Sequence, residues 1–255
     1  MTIANFLSRV RLVWSLSMHE ILTQRKESFL GLVWPLLQAC GLLVAFSLIR
    51  GDEIGVDRIL SSYIGVLIWT TGATVLTSSL RILVANREVI THLVFPFSML
   101  CVVDVTVKYV FFLIQLCIVS TLWFLLGPHE YWYLTLAYLA IYLVAFYLFL
   151  LAMAWIASVF GVALPDLSFL LPPVLVLLLA LSPVFQRNVE TMPWALRVFN
   201  ESNPLSISVE VMFSTFGVMT GVPEAPVLFL AVSCVVVVGA WLVVGVFYRE
   251  IPKVI

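Results

Sequence analysis

The chain has 255 residues, 63% of them hydrophobic and only 11% charged, with a net charge of −1. Soluble domains carry about 25% charged residues, so most of this surface does not meet water. A near-neutral balance also lacks the basic face that nucleic-acid partners require, which leaves an integral membrane protein with little chain for a soluble domain.

Residues 1–28 read as an amphipathic helix lying on the cytoplasmic membrane surface. Ile3, Phe6, Leu7, Val10, Trp14, Met18 and Ile21 recur at helical spacing, while Ser8, Arg9, Arg11, Ser15, His19 and Glu20 fall elsewhere. A cleaved signal would show one continuous apolar core instead. At RKESFLGLVWPLLQA the charges of Arg25, Lys26 and Glu27 end, and none returns before Arg50. That is the elbow from an interfacial helix into a first span, with Trp34 placed to anchor near headgroups and Pro35 tolerated in an early turn.

A spanning helix needs about 20 apolar residues. The charge-free stretches Ser28–Ile49, Ile59–Leu80, Tyr109–Pro128, Tyr131–Pro165, Leu167–Gln186 and Ala225–Tyr248 make six expected transmembrane helices. In the last, nine Val, three Leu and two Phe contribute roughly −4 to −8 kcal/mol of insertion free energy at about −0.3 to −0.6 each. Tyr131–Pro165 is longer than one bilayer requires, and tilt or extension into the interface explains it better than two short spans. Six spans put both termini on one side, with Arg9, Arg11, Arg25, Lys26, Arg81, Arg87, Arg249 and Lys253. Arg50, Arg58, Arg187 and Arg197 fall on the other. The positive-inside rule then makes the termini cytoplasmic.

Two connections stand out. The cytoplasmic loop 81–97, RILVANREVITHLVFPF, suits a short helix from Asn86 to about Leu93, with Asn86 as cap and Glu88 complementing the first turn. The outer region 187–224 is broken by Glu210 and Gly217; short re-entrant or gate helices hinged at Asn203–Pro204 fit it, provided protein or a wet cavity shields them.

Sites for chemistry are sparse. HEILT at 19–23 and HEYWY at 129–133 lack the second histidine of a zinc-binding HExxH, so no metal site is expected. The Walker phosphate loop needs Gly-Lys, but the three lysines follow Arg25, Val107 and Pro252. Cys40, Cys101, Cys117 and Cys234 show no CxxC spacing and read as small apolar residues. Asp104 and Lys108 share a helix face and can pair at the cytoplasmic entrance to the third span. No span carries a central acid for ion coupling. Tyr63, Trp69 and Trp34 are aromatic candidates for a translocation path, since aromatic rings stack on sugars, although packing against lipid or other helices accounts for them more simply.

In this order, the pieces resemble the ABC type-2 permeases that export O-antigen, capsule and teichoic-acid polysaccharides. The resemblance rests on the amphipathic N-terminus, Leu30, Gly31 and Trp34 at the entry to span one, Asn86 and Phe95–Pro96 after span two, Ser182–Pro183–Val184, and Asn203–Pro204. Ala39 and Pro165 depart from the family pattern, which more often has Pro and Arg there. The resemblance implies a homodimeric permease in a bacterial inner membrane, carrying lipid-linked or long-chain polysaccharide outward. On this resemblance it would not be an enzyme and would have no cofactor of its own; ATP and Mg would be bound by two copies of a separate ATPase. Asn86, Arg87, Glu88 and His92 would form the coupling helix, flanked by Arg25 and Lys26, with Asn203 and Pro204 in an outer gate. An ABC permease for drug or lipid efflux is the alternative, and a membrane enzyme acting on lipid-linked sugars a more distant one.

Overall fold

The computed structural model describes residues 3–27, 56–87, 97–126, 132–185, 193–216 and 225–247, with residues 33–34, 37–38, 40–41 and 44–45 between the first two segments. Among the described residues every regular element is helical. In order they are α1 (Ile3–Glu27), α2 (Val56–Ala85), α3 (Phe97–Leu126), α4 (Trp132–Ala163), α5 (Leu167–Leu181), α6 (Trp194–Ser202), α7 (Pro204–Thr215) and α8 (Ala225–Phe247).

Four helical stretches are long and apolar enough to cross a membrane: Ile59–Ala85, Ser98–Leu125, Tyr133–Ala163 and Ala225–Phe247. Within the expected stretch 131–165, Trp132–Ala163 form a single 32-residue helix, α4. The expected span Leu167–Gln186 appears as the 15-residue α5, about 22 Å long at 1.5 Å per residue, followed by a turn through 182–185. The expected span Ser28–Ile49 lies largely outside the described residues.

Two helices run past the charges expected to bound them. α3 begins at Phe97 rather than Tyr109 because Asp104 and Lys108 pair one turn apart, and Ser78 Oγ on α2 donates to the other Asp104 oxygen at 2.7 Å. A charge neutralised this way no longer marks a water boundary. α2 likewise carries Arg81 and continues to Ala85. Pro172 inside α5 has no N–H, so the Ser168 carbonyl loses its helical donor. Arg81 Nη2 takes that carbonyl at 3.0 Å, and its guanidinium stacks over the Phe169 ring at 5.1 Å.

α2 is the central helix, packed on α3, α4, α5 and α7. Ile64, Val66, Leu67, Ile68, Val75 and Leu83 are buried along it. Its contact with α4 is close enough that a Cβ on Gly161 would collide with the Leu80 carbonyl. A rank of rings, Tyr109 and Phe112 on α3, Tyr142 and Phe146 on α4, and Phe229 on α8, joins three helices at centroid separations of 5.1–5.7 Å, a geometry favourable for aromatic pairs. α8 buries Phe229, Ser233, Ala240 and Val244 and leaves Val232, Val235, Trp241 and Val246 exposed, as a helix with one side on lipid does. α1 packs on α3 with Ser17 buried and Trp14, Met18 and Leu22 exposed.

Gly161→Ala is expected to cost about 1–3 kcal/mol by overpacking and to lower the detergent melting temperature. Gly239→Ala, with nothing within 4 Å of its Cβ, should leave it unchanged or raise it by up to about 1 kcal/mol in stability terms. Equal melting temperatures for the two variants would refute the close α2–α4 contact.

Candidate functional site

α5 lies antiparallel to α2, and the two are tied along their length. Arg81 reaches Ser168 at one end, Trp69 Nε1 donates to the Leu175 carbonyl at 3.1 Å, and Val184 packs against Gly65 at the other. Between these ties runs a groove of about 180 Å³ lined by Thr70, Thr74 and Thr77 of α2, Pro172, Val176 and Leu179 of α5, and Gln38. The threonine hydroxyls donate to the carbonyls of Leu67, Thr71 and Ala73 at 2.9–3.2 Å. Their protons are therefore spent on their own helix, leaving methyls and lone pairs for the groove.

The second feature is the pair α6–α7. The break falls at Asn203, whose Oδ1 accepts from Leu205 N at 3.0 Å, with Pro204 in the first turn of α7. This is the expected chemistry of a helix start: a short polar cap, then a proline whose missing N–H costs nothing there. Asn200 is 3% exposed; its Nδ2 donates to the Leu181 carbonyl at 3.1 Å and its Oδ1 accepts from Ser206 Oγ at 3.2 Å, stitching α6 and α7 to the end of α5. α7 then seats on α2, because Gly72 leaves room for Leu205 and Gly65 for Phe213. Trp123 of α3 closes on Phe216 edge-to-face at 5.6 Å.

Among the described residues, those singled out from the sequence stand on different elements. Asn86 closes α2, its N–H and its Nδ2 both donating to the Ile82 carbonyl at 3.2 and 2.8 Å; the helix expected to follow it lies largely outside the described residues. Arg87 beside it is exposed, and Arg25 and Lys26 stand in the last turn of α1. Glu88 and His92 lie outside the described residues. Tyr63 is 6% exposed and its hydroxyl donates to Gln115 Oε1 on α3 at 3.3 Å; Trp69 is 1% exposed; Trp34 is 61% exposed. Tyr63 and Trp69 thus tie α2 to α3 and α5 respectively. Sequence reasoning did not single out Arg81, Ser168, Asn200 or the threonine face. Thr70, Thr74, Thr77 and Arg81 do recur at helical spacing, which was the available signal. Among the described residues no three His, Cys, Asp or Glu side chains cluster as metal ligands would.

Glu210 is partly buried in α7. Desolvation holds its carboxyl above the ordinary carboxylate range, and the charge of Glu201 on α6 pushes it the same way.

The family model described as ABC-2 type transporter matches residues 11–217, and the chain belongs to that family. It is a membrane permease subunit of an ABC exporter, a family that in general works with an ABC ATPase partner. No curated protein matches the chain.

Because the folded carboxyl of Glu210 titrates above its unfolded value, its protonated form favours the fold. That contribution is complete below the ordinary carboxyl range and is lost as pH rises through the raised value. Glu210→Gln should therefore raise the melting temperature at neutral pH and flatten its dependence between acidic and neutral buffer. A variant that melts with the wild-type pH dependence would show that Glu210 is solvated in the fold.

Proposed function

We propose that the cargo of this permease is a lipid-linked or long-chain polysaccharide moved outward across a bacterial inner membrane by a homodimer. Two ATPase copies supply the ATP and Mg chemistry. The observation that carries this reading is the placement of charge. Within the four described spans the ionisable acids and bases are Arg81, Asp104 and Lys108 alone, and the last two neutralise each other. Spans whose fixed charge is limited to Arg81 and one neutralised pair suit a large, hydroxyl-rich cargo and give no unpaired acid for ion coupling. The order of the motifs from Trp34 to Asn203–Pro204 points to the same class.

In this reading six spans complete the permease: the four long helices, α5 with its following turn, and the stretch 28–49. Both termini are cytoplasmic. α6 and α7 are a re-entrant gate, and two contacts support that role. Leu205 meets α2 at Gly72, thirteen residues into the stretch Ile59–Ala85, which is about 20 Å along the helix, and Phe213 meets it at Gly65. Such a hairpin is tolerated at membrane depth because its polar groups are satisfied by protein, as Asn200 and Asn203 are. Asn86, Arg87, Glu88 and His92 couple to the ATPase beside Arg25 and Lys26. Trp34 faces the path, and Tyr63 and Trp69 hold the helices behind it.

Deleting the chain should make undecaprenyl-linked glycan accumulate in the cell; a strain that accumulates none, but becomes sensitive to drugs, would move the cargo to small amphiphiles. Arg87→Glu with His92→Ala should reduce transport-coupled ATP hydrolysis by roughly tenfold, within the usual span of coupling energies. Undiminished coupling in a folded variant would remove this segment from the ATPase interface.

A further inference from the structure

We propose that the groove between α2 and α5 binds one acyl chain of a membrane phospholipid whose anionic phosphate is held by Arg81. The site has two halves. The first is the apolar groove, whose roughly 180 Å³ is smaller than the roughly 300–1,000 Å³ of sites that enclose a whole drug-sized molecule. It takes a segment of chain rather than a complete ligand. Ala73, Pro172, Val176 and Leu179 supply hydrocarbon walls, and the threonines, with their hydroxyl protons already spent, demand no donor or acceptor in return.

The second half is the guanidinium. Arg81 is exposed, and among the described residues no carboxylate lies within ion-pair distance of it; the nearest described ion pair, Asp104–Lys108, is complete in itself. One N–H is given to the Ser168 carbonyl and one face to the Phe169 ring. These contacts fix the group without consuming the rest of its donor fork, which matches phosphate oxygens in bidentate geometry.

The halves are in register. Arg81 follows Thr77 by one turn of α2, and Ser168 precedes Pro172 by one turn of α5, so the charge stands about 6 Å beyond the groove's end on both walls. A positive charge with no counter-ion among the described residues, set one turn from a hydrocarbon slot, is the complement of a phosphate joined to an acyl chain. The proline that frees the Ser168 carbonyl also lines the slot, so Pro172 contributes to both halves.

The test is native mass spectrometry of the full chain in mild detergent, with phosphatidylglycerol or phosphatidylcholine of identical acyl chains. The wild type should retain phosphatidylglycerol about tenfold better, Arg81→Ala should abolish that preference, and Arg81→Lys should keep part of it because an ammonium lacks the planar fork. Thr74→Trp, which fills the groove from its exposed edge and leaves Arg81 in place, should lower retention of both lipids. Equal retention of the two lipids by the wild type, or the wild-type preference surviving in Arg81→Ala, would overturn the proposal. So would a lipid-free dimer that Thr74→Trp splits, since a second copy would then occupy the groove.

Discussion

Inside a bilayer, helices gain nothing by hiding apolar side chains from water, because the lipid is as apolar as they are; close backbone approach and interhelical hydrogen bonds must hold them instead. In this permease the constraint is met on α2. Gly65 and Gly72, seven residues apart on one face, receive Phe213 and Leu205 of α7, and the Leu80 carbonyl lies directly against Gly161 of α4. Each of those contacts needs the absence of a side chain, and together they fix where the hairpin, the long α4 and the central helix stand relative to one another.

Hydrogen bonds complete what close packing begins. Trp69, Asn200 and Arg81 all donate to carbonyls of α5 or its end, at Leu175, Leu181 and Ser168. α5 is the shortest of the apolar helices and contains two prolines; Pro172 leaves the Ser168 carbonyl without its helical donor, and the Leu181 carbonyl stands open at the helix end. The proline defect ties α5 to α2 through Ser168, and the end of the helix ties it to α6 through Leu181. The remaining charges follow one rule: each one that enters a span arrives with a partner, Asp104 with Lys108 and Ser78, Arg81 with a carbonyl and a ring.

The sequence made the long apolar elements legible because hydropathy and charge spacing are local properties. α4 and α8 follow their charge-free stretches within a few residues. The starts and ends of α2 and α3 were not legible, since counting from charge to charge treats Arg81, Asp104 and Lys108 as borders, and only tertiary partners reveal that they are not. The break at Asn203–Pro204 was readable from cap chemistry. Its docking onto Gly65 and Gly72 was not, because a glycine in an apolar run looks the same whether it faces lipid or another helix. The α2–α5 groove was hidden for a related reason: a threonine face and a pair of prolines acquire meaning only when their helices are set side by side.

The family to which the chain belongs works in general with an ABC ATPase partner, and the proposed export depends on that partner more than on any other feature. The direct test is a gentle-detergent pull-down of the tagged chain with ATPase activity assayed in the eluate. A stoichiometric ATPase whose hydrolysis changes when Arg87 is reversed to Glu is the predicted result. A permease that purifies alone and ATP-inert in several detergents, yet still moves cargo in vesicles without ATP, would contradict it.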